Sequence, residues 1–120
     1  MIVQIEHIEG VRNLEAILST EGVDGFLIGP YDLSASLGIP GEFENPLFKK
    51  ASETAHRISS KIGALMGIHV VMPDTSTTKE KISEGYRFIA FGIDTLFLGE
   101  SCRCSLRQIN SQADRKDSGS

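Results

Sequence analysis

Glu6 and Asp32 each fall where an apolar run gives way to a loop, in the contexts Val3-Gln4-Ile5-Glu6 and Ile28-Gly29-Pro30-Tyr31-Asp32-Leu33-Ser34. If the runs Ile2 to Glu6 and Gly25 to Gly29 are neighbouring parallel strands, their ends lie roughly 5 Å apart, so both carboxylates reach one hard cation. Mg²⁺ or Mn²⁺ is the natural guest of such a pair. Side chains alternate along a strand, so Gln4 shares the face of Glu6, while Val3 and Ile5 face the other way, towards helices. Either acid alone reads as a helix cap or a loop residue. The paired placement is what points to a metal.

The elements that must position this pair follow from the hydrophobic pattern. Apolar runs alternate with segments of helical period, the pattern of a parallel α/β fold, and four βα units can be counted. The run Ile2 to Glu6 leads to a helix with Val11, Leu14, Ile17 and Leu18 on one face, closed by Gly22. The run Gly25 to Gly29 is followed by a segment rich in Gly, Ser and Pro, Pro30 to Glu44, which the composition predicts as a long loop. Asn45-Pro46 then supplies an N-cap with proline at the first helical position, opening a helix that buries Phe48, Ala51, Ala55, Ile58 and Ile62. A third strand, Ala64 to Val71, ends at Pro73-Asp74, where Asp74 or Thr75 caps a short helix that stops at Gly85. The fourth strand, Arg87 to Gly92, leads to a last helix carrying Leu98, Cys102, Leu106 and Ile109. Residues 1–112 thus form one domain, and 113–120 a polar, disordered tail.

The units share a period of about thirty residues without sharing a motif. This suits half of an eight-stranded barrel, whose chemistry sits at the C-terminal strand ends, where Glu6 and Asp32 stand. A small open doubly wound sheet would favour a glycine-rich phosphate loop after the first strand. Glu6-His7-Ile8-Glu9-Gly10 is not one.

Bulk properties narrow the function classes. The chain has 120 residues and a net charge of −4, which gives no general attraction for nucleic acid. None of its apolar runs approaches the roughly 18 residues of a membrane span, and no basic-plus-apolar signal opens it, so a soluble cytoplasmic protein is expected. Cys102 and Cys104 lack the spacing of a zinc or redox motif, and Cys102 is expected as a small core residue.

Three stretches carry a wider likeness: Val3-Gln4-Ile5-Glu6; Gly22 to Gly38, Gly-Val-Asp-Gly-Phe-Leu-Ile-Gly-Pro-Tyr-Asp-Leu-Ser-Ala-Ser-Leu-Gly; and Phe88 to Thr95, Phe-Ile-Ala-Phe-Gly-Ile-Asp-Thr. They resemble the HpcH/HpaI aldolase/citrate lyase family from Met1 to about Ile109, over the C-terminal half of its (βα)₈ TIM barrel. The resemblance implies a class II, metal-dependent aldolase that cleaves 4-hydroxy-2-oxo acids to pyruvate and an aldehyde, similar to the branch acting on 2-keto-3-deoxy sugar acids. It implies that Glu6 and Asp32 hold the cation, that Gln4 contacts the substrate, and that the backbone at Tyr31 and Asp32 receives the pyruvate carboxylate. Mg²⁺, Mn²⁺ and Co²⁺ all stay open, as does the aldehyde.

The residues agree with that chemistry. Two carboxylates leave a divalent ion several open positions for a chelating 2-oxo acid. Gly29 permits close backbone approach, and amides at the turn Asp32-Leu33-Ser34 can meet an anion. No lysine stands at a strand end to form a Schiff base; Lys49, Lys50, Lys61, Lys79 and Lys81 fall on expected helices. The resemblance places the catalytic base, a histidine, in the N-terminal half of the barrel, and this chain has no counterpart. Among its histidines only His69 nears a strand end, where a loop or core role competes with a catalytic one.

Two open strand edges and an uncovered barrel-facing surface predict a homo-oligomer or pairing with a separate N-terminal half. Met1 directly before the first strand suggests a truncated frame. Two other functions compete with the aldolase: a non-catalytic remnant that binds a divalent ion and a 2-oxo acid, and a related lyase acting on acyl-CoA thioesters.

Overall fold

A computed structural model of the chain describes residues 1–117, with side chains described through Asn110. Four strands, β1 (Ile2–Ile5), β2 (Gly25–Ile28), β3 (Leu65–Val70) and β4 (Phe88–Phe91), form one sheet in the order β1-β2-β3-β4. Every pairing is parallel, and helices intervene between successive strands. This is the βα repeat that the hydrophobic pattern predicts, with β1 and β4 as the edges.

Register decides which side chains serve the core and which the site. Gln4, Leu27, Gly67 and Phe88 stand opposite one another across the four strands and share one face, the inner face. The alternate residues Ile5, Phe26, Ile28, Met66, Ile68 and Val70 are buried on the outer face, against the helices. Burial of such side chains contributes about 1.5–3 kcal/mol each and is what holds the sheet to its helices. Gly25 is required where it stands, because a Cβ there would lie 2.3 Å from the carbonyl oxygen of Leu65.

The first helical segment differs from expectation. It is two short helices, α1 (Ile8–Arg12) and α2 (Leu14–Leu18), broken at Asn13. His7 caps α1 by accepting from the amide of Glu9, and Val11, Leu14 and Leu18 still reach the core.

A larger correction concerns Pro30 to Glu44. Its first seven residues are a helix, α3 (Pro30–Ser36), with Gly29 as N-cap and Pro30 at its start. Proline's fixed φ and missing N–H suit a first helical turn, and Leu33 packs into the core with no exposed surface.

Beyond it, α4 (Pro46–Ile62) starts as expected, Asn45 Oδ1 accepting from the amide of Leu47. Phe48, Ala51, Ala55 and Ile58 are buried as its period predicts, but Ile62 is 39% exposed at the open end of the helix. Helix α5 (Thr75–Ser83) is capped by Asp74, whose carboxylate accepts from the amides and hydroxyls of Ser76 and Thr77. Those bonds hold Asp74 well below the usual carboxylate range, Thr77 contributing most.

Helix α6 (Asp94–Asp117) departs furthest from expectation. Leu98, Leu106 and Ile109 are exposed, and so are Cys102 and Cys104, so Cys102 is not a core residue. The apolar stripe exists, but among the described residues nothing buries it. The helix also runs through part of the tail expected to be disordered from Ala113, and residues 118–120 lie outside the described residues. Among the described residues no helix is long and apolar enough to cross a membrane.

Candidate functional site

The end of β1 and the start of α3 lie side by side because the β1–β2 ladder continues past the strands, the amide of Gly29 donating to the carbonyl of Ile5 at 3.1 Å. This brings Glu6, the residue after β1, beside Gly29, the residue after β2. Gln4 Nε2 donates to Glu6 Oε1 at 2.7 Å, which fixes the carboxylate on the inner face. Glu6 Oε2 makes no hydrogen bond or ion pair among the described residues.

Gly29 is what leaves room for this pair. A Cβ there would lie 3.1 Å from Glu6 Cγ, 3.3 Å from Gln4 Nε2 and 3.4 Å from Glu6 Oε1. Its φ of −92° is open to any residue, so the requirement for glycine is one of space, not of backbone conformation. A glycine kept for side-chain clearance beside an amide-bound carboxylate is the mark of a cradle.

Asp32 sits in the first turn of α3, exposed, where an acid also suits the positive end of a helix. The first bond of this helix runs from the amide of Leu33 to the carbonyl of Gly29, so the amides of Tyr31 and Asp32 precede it and lack helical acceptors. Tyr31 turns its ring onto Phe43, edge to face with centroids 5.0 Å apart, and Phe43 in turn packs on Phe48. The structure therefore gathers Gln4, Glu6 and Gly29 into direct contact and sets Asp32 on the adjoining turn.

The hydroxyls of Ser34 and Ser36, to which the sequence alone assigns no role, hold that turn in place. Ser34 is fully buried; its hydroxyl donates to the carbonyl of Tyr31 and accepts from the amide of Gly41, tying α3 to the loop behind it. Ser36 Oγ donates to the carbonyl of Leu33 and accepts from the amide of Ile8, joining α3 to the start of α1. Since Ile8 follows Glu6 closely, this bond sets the spacing between the two acidic segments. The signal was the pair of serines at i and i+2 behind Asp32, legible only once α3 is known to be a helix.

His69 lies on the inner face, two residues beyond Gly67 on β3, and its Nε2 bonds to the carbonyl of Gly92 at 3.1 Å. Two strand spacings, roughly 10 Å, separate it from the Glu6 position. His7 is used as the cap of α1, and His56 Nε2 bonds to the Glu84 carbonyl. No cluster of three or more His, Cys, Asp or Glu that could hold a metal is found among the described residues. The side-chain donors at the predicted positions are the carboxylates of Glu6 and Asp32 and the amide of Gln4. Those hard oxygens match Mg²⁺ or Mn²⁺ and do not suit zinc, which prefers nitrogen and sulfur.

Comparison with known proteins gives a consistent picture. Residues 1–100 match the family described as HpcH/HpaI aldolase/citrate lyase. The chain is 41% identical over 104 residues to the hydroxypyruvate/pyruvate aldolase of Pseudomonas aeruginosa, covering 86% of this chain and 38% of that protein. It is 37% identical over 101 residues to a 2-keto-3-deoxy-L-rhamnonate aldolase of Escherichia coli, covering 84% of this chain and 37% of that one. Among solved structures, an HpcH/HpaI aldolase/citrate lyase family protein from Burkholderia cenocepacia superposes with a TM-score of 0.83 at 33% identity, over 91% of this chain and 42% of its own. An HpcH/HpaI aldolase from Desulfitobacterium hafniense gives 0.79 at 28% identity, over 90% and 41%. The chain thus spans well under half the length of the relatives it matches.

Proposed function

The chain belongs to the HpcH/HpaI aldolase/citrate lyase family, and we propose that it carries the metal- and pyruvate-binding part of an aldolase that cleaves 4-hydroxy-2-oxo acids to pyruvate and an aldehyde. In this reading its four βα units are the C-terminal half of a (βα)₈ barrel, and residues outside this chain supply the catalytic base. The observation that carries the proposal is the Gln4–Glu6–Gly29 cradle beside the turn that bears Asp32.

Glu6 and Asp32 hold the divalent cation. When bound, it supplies Lewis-acid stabilisation of the negative charge that develops as the carbon–carbon bond breaks. Gln4 orients Glu6 by donating to Oε1, and Glu6 so held would serve the ion. The free amides of Tyr31 and Asp32 donate to the pyruvate carboxylate, a role suited to backbone N–H groups at the start of a helix. Ser36 and Ser34 hold those amides at a fixed distance from Glu6. Tyr31, the neighbour of Asp32 in this turn, is the side chain assigned to the aldehyde portion. Two relatives are named for hydroxypyruvate/pyruvate and for 2-keto-3-deoxy-L-rhamnonate, which supports a 2-oxo acid as the substrate.

The test is pyruvate release from a 4-hydroxy-2-oxo acid in the presence of Mn²⁺, beside binding of oxalate, a planar mimic of the pyruvate fragment. Oxalate binding that requires Mn²⁺, with any turnover abolished by EDTA, supports the reading. Cleavage restricted to coenzyme A thioesters, or oxalate binding indifferent to Mn²⁺, overturns it.

A further inference from the structure

A cavity of about 590 Å³ opens between α4 and α5 over β3 and reaches Pro30 and Tyr31 of the turn that bears Asp32. That is the size of a small-molecule site. It exists because the two helices differ in length: α4 has 17 residues and α5 only 9, so the shorter one leaves part of β3 uncovered. Ile68 and Val70 form the floor, and Phe48 of α4 forms an apolar wall.

One polar group in this cavity lacks a partner. Tyr86, at the lower end, is only 4% exposed, and its hydroxyl makes no hydrogen bond among the described residues. No fully enclosed side-chain oxygen or nitrogen among those residues lacks a partner, so the hydroxyl is the part of Tyr86 that still meets open space. Burial, with a smaller effect from Glu84, pushes the phenol up to about 12, so it is neutral at pH 7 and both donates and accepts.

The charges around the cavity set the sign of what it would take. Lys49 is paired with Glu44 at 2.6 Å and Lys81 with Glu84 at 2.8 Å, and the Asp74 carboxylate is engaged as the cap of α5. Glu53 on α4 and Glu80 on α5 line the same cavity and belong to no ion pair among the described residues. The uncompensated charge is therefore negative and divided between the two walls.

We propose that this groove binds a small organic cation: a primary ammonium held by Glu53, Glu80 and the Tyr86 hydroxyl, with an apolar, aromatic-sized body against Phe48, Ile68 and Val70. The ammonium donates to both carboxylates and to the phenol oxygen, the acceptor that Tyr86 otherwise leaves unused. The cavity shares Pro30 and Tyr31 with the turn that bears Asp32, whereas the ammonium position at Glu53, Glu80 and Tyr86 uses none of the residues assigned to the metal.

The test uses 2-phenylethylamine as the probe and phenylacetate, the same ring with the opposite charge, as its control, followed by amide chemical shifts of the whole chain. Saturable binding of the amine, with shifts centred on Ser52, Ile68 and Tyr86 and no comparable effect of phenylacetate, is the expected result. Tyr86→Phe keeps the ring and should weaken binding about fivefold, the effect of one hydrogen bond. Glu53→Gln with Glu80→Gln, both at exposed positions that leave the fold intact, should weaken it about tenfold or more. The proposal is overturned if the amine fails to saturate, if phenylacetate binds equally well, or if the double glutamine variant binds like the parent chain.

Discussion

Around β2 and α3, Phe26, Ile28, Leu33 and Ser34 have no accessible surface, whereas β4 and α6 leave Phe88, Phe91, Phe97 and Leu98 between 39% and 68% exposed. Both regions are a strand followed by a helix, written with apolar residues at similar spacing. The difference lies in what each helix meets. Helix α3 drops Leu33 into the core and is tied by Ser34 and Ser36 to two neighbouring segments. Helix α6 has its hydroxyl bond of Ser105 and its ion pairs of Glu100 with Arg103 and Arg107 within its own length. The contrast teaches where precision is available: a binding site needs its groups held within a fraction of an ångström by packed neighbours, and the β1–β2–α3 corner provides that from this chain alone.

The comparison breaks most visibly at the core. Leu33→Ala should cost about 2–5 kcal/mol of unfolding free energy, while Leu98→Ala on α6 should cost less than about 0.5 kcal/mol, both read from urea denaturation. Equal losses at the two positions would mean that α6 is packed as firmly as α3.

A smaller effect separates the site from the fold. Gly29→Ala adds a Cβ 3.1 Å from Glu6 Cγ in a backbone conformation that alanine tolerates. Stability should change by less than about 1 kcal/mol, while Mn²⁺ affinity, read by calorimetry, falls about tenfold, the usual cost of disturbing a ligand's support. A matching drop in both would place the glycine in the fold and not in the site.

Ser36→Ala removes the link to Ile8 and should cost about 1 kcal/mol, against no measurable change for Ser105→Ala, whose hydroxyl bonds within α6. Equal effects would remove the distinction between the two helices' polar ties.

The smallest effect lies in α5, between the two regions. Asp74 is held below its ordinary range by Thr77 and Ser76, so its contribution is in place at neutral pH and is lost as pH falls through that lowered value. Asp74→Ala should therefore be less stable than the parent at pH 7, with the gap closing in strong acid, as followed by circular dichroism. A gap that persists unchanged into strong acid would assign the loss to something other than the carboxylate.

The same contrast explains what could be read from the residues. Alternation along Val3 to Glu6 correctly sets Gln4 beside Glu6, because a strand's period of two needs no knowledge of its neighbours. Asn45-Pro46 and Asp74 announce their helices through local capping chemistry. Helix α3 was hidden by the Gly-, Ser- and Pro-rich composition around it, although Pro30 followed by Asp32 and Leu33 is itself a helix start. Ser34 and Ser36 could not be assigned because their partners, Gly41 and Ile8, come from other elements. For Ile62, Cys102 and Leu106, periodicity identified an apolar face but carried no information on whether anything covers it.

The most direct measurement is a Mn²⁺ titration of the chain followed by water-proton relaxation, run on the parent, Glu6→Gln and Asp32→Asn. One Mn²⁺ per chain, with each substitution weakening it by about 100-fold or more, is the predicted result. Unchanged affinity in both variants would contradict a cation shared by these two carboxylates.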